Sequence, residues 1–92
     1  MDLSKIRRKI DRVDSNIISA FQKRMKIVKK VTQYKIQNDM EVLDVHRERK
    51  VIDKAAKRVK NPVIKAYVPS LYSTIMGISR KYQTMLIENS KK

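Results

Sequence analysis

Cysteine is absent from the 92-residue chain. Disulfides, thiolate nucleophiles and cysteine-ligated metals are thereby excluded. The one histidine, His46, leaves no imidazole-built zinc site within a single chain. Glycine occurs once (Gly77) and proline twice (Pro62, Pro69). So little punctuation disfavours strands, which need frequent turns, and favours long helices. Acidic residues are also scarce, at 9 against 23 Lys plus Arg, and only Glu88 follows Asp53. No apolar run is long enough for a signal-peptide core or a membrane span, so a cytoplasmic location is expected. What remains is a basic chain of net charge +14 in which 41% of residues are apolar. That share is too high for a disordered basic tail. The charge points to an anionic partner: nucleic acid, an anionic membrane or a small acidic substrate. One domain over residues 1–92 is the most this length supports, so no fused second domain is expected. A domain so small needs efficient helix packing or a partner chain to bury enough surface.

Three helical segments are expected. The first, at about 3–36, carries a stripe whose steps alternate four and three residues. The stripe comprises Leu3, Arg7, Ile10, Asp14, Ile17, Phe21, Arg24, Val28, Val31 and Lys35. A helix of this length spans about 50 Å, too long to be covered by its own short chain. Gln37-Asn38-Asp39 reads as a loop, and Asp44 caps a second, shorter helix at about 45–60. The inner stripe of that helix is Glu48, Val51, Ile52, Ala55 and Val59. Asn61-Pro62 ends it, and a third helix of medium length follows at about 66–89, with Pro69 tolerated only in its first turn. Gly77, inside this helix, reads as a point of close helix contact. The fold class is all-α.

Polar residues on the apolar stripes are the informative ones. Arg7, Arg24 and Lys35 lie on the inner face of the first helix, where an unpaired buried charge is costly. Each could snorkel past the core edge or pair with Asp14 or Glu48. Three cations on one stripe, joined by Glu48, Ser79 and Gln83 on the other helices, are accounted for more economically by a polar pocket enclosed by helices. Arg24 and Lys35 are eleven residues apart, about 16 Å along the axis, and can close around a small molecule. Arg7 lies about 25 Å from Arg24. It cannot reach the same ligand from the same helix, but it can reach the equivalent ligand in an antiparallel second subunit. An intertwined two-fold homodimer would then carry two identical pockets.

With these residues the chain resembles the all-α (AroQ-class, type II) chorismate mutases along nearly its whole length. The family's opening LRxxIDxID run is matched by Ile6-Arg7-Arg8-Lys9-Ile10-Asp11-Arg12-Val13-Asp14, and alignment on Asp14 selects Arg7 as the matching arginine. Arg24 matches the second arginine of the first helix, and Lys35 the lysine eleven residues on. Asp44-Val45-His46-Arg47-Glu48 matches the signature D-x-x-R-E, and Ser79-Arg80-Lys81-Tyr82-Gln83 matches S-x-x-x-Q. Pro69 and the short connection before the third helix depart from the family pattern.

The resemblance implies an isomerase that rearranges chorismate to prephenate on the route to phenylalanine and tyrosine, without cofactor or metal. It implies a homodimer with a small dianionic substrate and neither nucleic acid nor membrane as partner. By the same resemblance, Arg7 of the partner subunit, Arg24 and Arg47 bind the substrate carboxylates, with Ser79 assisting. Lys35 and Gln83 donate to the ether oxygen. Glu48 accepts from the ring hydroxyl with the backbone near Asp44, and Asp44 supports the site as a helix cap. Val31, Val51 and Met76 form an apolar wall. Two alternatives stand against this reading. An isochorismate pyruvate lyase of the same fold has a similar cationic pocket, but Glu48 and Ser79 favour the mutase. A basic helical nucleic-acid binder fits the charge, yet the chain has no helix-turn-helix spacing and no cluster of Arg, Asn and Gln on one recognition helix.

Overall fold

The computed structural model describes residues 2–91. Helix α1 covers Leu3–Gln37 without a break, as expected from a stretch that holds neither glycine nor proline. The Asp2 carboxylate caps it by accepting from the Ser4 N–H at 2.9 Å. The helix ends at Asn38, after which Asp39 takes a left-handed φ of 51°. The Asp39 N–H donates to Ile36 O and the Met40 N–H to Lys35 O at 2.8 Å. This is the double backbone closure that reverses a chain at a helix end, and a short polar residue such as Asp tolerates the left-handed position it requires.

Helix α2 is Val45–Lys57, capped by Asp44, whose side chain accepts from the Arg47 N–H at 3.0 Å. It stops three residues short of the expected end, because the N–H groups of Arg58 and Val59 fold back on Ala55 and Ala56. A single extra turn, α3 (Pro62–Lys65), then intervenes. Asn61 caps it by accepting from the Val63 and Ile64 N–H groups, and Pro62 takes its first position, where no N–H is needed. The third long element, α4, is Val68–Ser90 rather than 66–89, with Pro69 in its first turn as expected. The fold is therefore all-α: one long, one short and one medium helix, plus the turn α3.

Helix α4 packs against α1 on one side and α2 on the other. Only the C-terminal half of α1 takes part, because every residue from Arg7 to Ala20 is exposed. Ile10 and Ile17, centred on the apolar stripe, are 54% and 57% exposed. The radius of gyration is 16.6 Å, against about 12 Å for a compact chain of this length. Few residues are buried, and several of these are polar: Val68 and Met76 are joined by Thr32, Ser79 and Gln83. Thr32 is completely buried and satisfies its hydroxyl on Val28 O at 2.8 Å. Gly77 does not mark a close helix contact within the protomer. A Cβ there would meet Arg80 Nη2 at 3.7 Å, an ordinary contact. Among the described residues no helix is long and apolar enough to cross a membrane.

Candidate active site

A cavity of about 270 Å³ opens between the C-terminal half of α1, the start of α2 and the middle of α4. Seven of the eight residues expected to form a site line it: Arg24 and Lys35 from α1, Asp44, Arg47 and Glu48 at the start of α2, and Ser79 and Gln83 from α4. Val31, Val51 and Met76, expected as an apolar wall, also line it, together with Ile27, Val28 and Val42. Arg7 is absent from the lining and exposed. It sits seventeen residues before Arg24 on an unbroken helix, about 25 Å away.

The helices set each position. Arg24, Val28, Val31 and Lys35 follow one another at steps of four, three and four, so they face the cavity as a column. Ser79 and Gln83 are one turn apart on α4 and likewise stack. The Asp44 cap fixes the start of α2, and with it the approach of Arg47 and Glu48, which follow within the first turn.

Arg24 Nη1 donates to Ser79 Oγ at 2.7 Å, and Nη2 lies 3.8 Å from Met76 Sδ. Ser79 Oγ in turn donates to Ile75 O at 2.9 Å. Lys35 Nζ donates to Val42 O at 2.8 Å and to Gln83 Oε1 at 3.1 Å. The ammonium thus ties the loop after α1 to α4. Gln83 is only 7% exposed. With its oxygen turned to Lys35, its NH₂ is left to donate elsewhere. The third Lys35 proton and the Gln83 amide therefore form adjacent donors.

The alternative to a polar pocket, that Arg24 or Lys35 pairs with Asp14 or Glu48, is not what the structure shows. Both cations contact neutral acceptors, and among the described residues the one ion pair joins Glu48 Oε1 to Arg80 Nη1. Arg80 is the charged lining residue that sequence reasoning missed. Its spacing held a signal, since it lies three residues before Gln83 and next to Ser79, on the flank of the inner face of α4. The result is a small cavity with Arg24, Lys35 and Arg47 on its walls and no carboxylate neutralising Arg24 or Lys35. Such a cavity suits a compact anion whose carboxylates complete the guanidinium and ammonium contacts.

Comparison with known proteins agrees with this chemistry. The family described as chorismate mutase type II matches residues 6–84. A relative, the bifunctional chorismate mutase/prephenate dehydratase of Buchnera aphidicola subsp. Schizaphis graminum (strain Sg), is 30% identical over 87 residues, which cover 94% of this chain and 23% of that protein. The chain thus spans about a quarter of the length of that relative. No solved structure matches it.

Proposed function

The chain belongs to the type II chorismate mutases, and on that premise we propose that its cavity rearranges chorismate to prephenate. The observation that carries this reading is the pair of part-buried cations, Arg24 and Lys35, held on neutral acceptors in the cavity between α1, α2 and α4. Keeping charge there without a counter-ion is costly unless a ligand supplies one.

The reaction breaks one C–O bond and forms one C–C bond within a single molecule. No proton, metal or covalent intermediate is required, so the work of the protein is conformational and electrostatic. Chorismate is a dianion, and its enolpyruvyl arm must be brought over the ring. Arg24 and Arg47 hold its carboxylates, with Ser79 assisting, and convert a floppy arm into a near-attack geometry. As the C–O bond stretches, the ether oxygen becomes more negative. Lys35 Nζ and the Gln83 NH₂ donate to it, and their bonds strengthen most in the transition state. Glu48 accepts from the ring hydroxyl beside the backbone at Asp44. Asp44 acts through its cap, which sets the register of Arg47 and Glu48.

The site is completed by a second copy of the chain. The exposed apolar stripe along residues 7–20 and the elongated protomer support this. Burial of each Ile or Val on that stripe contributes about 1.5–3 kcal/mol, and an antiparallel partner helix would supply it. The same pairing brings the partner's Arg7 to the cavity as a further guanidinium for the carboxylates.

The pH dependence of a Gln83→Glu variant tests this reading. A neutral amide donates to the ether oxygen at any ordinary pH. A carboxyl can donate only when protonated, and an unperturbed glutamate titrates near about pH 4.3. At neutral pH the variant would repel the developing charge. Wild-type turnover at saturating chorismate is therefore expected to vary little from about pH 6 to 8. Gln83→Glu is expected to be impaired there and to recover as pH falls. A variant with the wild-type profile and undiminished turnover would remove Gln83 from contact with the reacting oxygen.

A further inference from the structure

We propose that Arg80 is a positioning residue that holds the Glu48 carboxylate at the angle at which it meets the ring hydroxyl of the substrate. This rests on the mutase reading of the cavity and adds a residue that the reading does not require.

Glu48 stands in the first turn of α2. Its side chain has several freely rotating bonds, lines the cavity and is 22% exposed. Left alone, the carboxylate would sample orientations facing the cavity and others facing solvent. Arg80 reaches it from α4, across the gap between the two helices, and donates from Nη1 to Oε1. The arm of Arg80 runs back along its own helix, as long side chains on a helix do, with Nη2 passing beside Gly77. Only one Glu48 oxygen takes part in this bond. The other is left for a hydroxyl donor in the cavity.

The pair has an electrostatic consequence as well. A dianion entering the cavity meets a carboxylate there, and like charges at short range repel. Arg80 offsets that repulsion while leaving Glu48 an acceptor. Its role therefore differs from that of Arg24 and Arg47, whose guanidinium groups are left to act on substrate carboxylates. Arg80 acts through Glu48.

The test is a double-mutant cycle with steady-state kinetics on chorismate, using wild type, Arg80→Met, Arg80→Lys, Glu48→Ala and the double variant Arg80→Met with Glu48→Ala. The ring-hydroxyl contact exists in bound substrate and transition state alike. Arg80→Met is thus expected to raise KM by roughly three- to ten-fold, with kcat changed by less than about two-fold. Arg80→Lys, which keeps a donor for Glu48, is expected to recover most of the loss. In the Glu48→Ala background Arg80→Met is expected to change nothing further, because the group it positions is gone. If the effect of Arg80→Met persists in that background, Arg80 grips the substrate itself or serves only packing, and the inference is overturned. A working wild type with a silent Arg80→Met overturns the inference alone. A wild type that leaves chorismate unchanged overturns the mutase reading, and the inference with it.

Discussion

Lys35→Ala is expected to lower kcat by roughly 10²–10³-fold or more, the scale seen when a donor to a developing oxyanion is removed. Lys35 Nζ is held by Val42 O and Gln83 Oε1, so it is pre-oriented and pays little reorganisation when the ether oxygen gains charge. The proposed contact would be weak toward the neutral ether of bound substrate and strong toward the stretched bond, so the loss should fall on kcat. Arg24→Ala and Arg47→Ala are expected to differ in kind. In their proposed roles these arginines grip carboxylates that are charged throughout, so substrate binding and turnover should weaken together. Lys35 also anchors the loop that follows α1, and its removal leaves the buried Gln83 oxygen without that donor. A stability loss of about 1–3 kcal/mol is the scale for such an orphaned group, so kinetics and thermal unfolding belong in the same experiment. A folded Lys35→Ala enzyme with near-normal kcat would remove the ether-oxygen contact from the account.

The second large effect concerns Arg7. It is exposed at one end of α1, far from the cavity of its own chain. Arg7→Ala is nevertheless expected to be nearly inactive, because the proposed dimer puts this arginine in the pocket of the partner subunit. The decisive form of the test mixes two inactive proteins, Arg7→Ala and Lys35→Ala, under conditions that allow subunit exchange. In a mixed dimer, one pocket takes Lys35 from the first chain and Arg7 from the second and carries neither lesion. The other pocket carries both. Random exchange of equal amounts makes half of the dimers mixed, with half of their pockets intact, so about a quarter of wild-type activity should return. No recovery, or a fully active monomer by sedimentation, would mean that the pocket is built within one chain.

The apolar stripes and the Asp44 cap made the helices and most of the site legible before any coordinates. The spacing of Arg24, Lys35, Glu48, Ser79 and Gln83 already implied that they meet. Helix ends were less legible. The short turn Pro62–Lys65 was hidden because Asn61-Pro62 reads as a break, whereas the same pair is also a cap and first position for a new turn. Charge pairing was less legible. The stripe of α1 allowed carboxylate partners for Arg24 and Lys35, but a polar pocket accounted for them more economically, and both contact neutral acceptors. Pairing instead depends on side-chain reach across helices, and Arg80 on α4 is the cation that reaches Glu48. Gly77 suggested close packing because its lack of a side chain is its only sequence signal. What lies beside it is the Arg80 guanidinium.

The most direct test of the central claim identifies what the purified protein makes. Chorismate and isochorismate are offered separately, loss of ultraviolet absorbance is followed, and the products are identified by chromatography and mass. The expected result is prephenate from chorismate at equal mass, with no pyruvate released from either compound. Pyruvate from isochorismate with chorismate left intact would make the chain a lyase of the same fold, and an unchanged mixture in both arms would contradict the mutase assignment of this cavity.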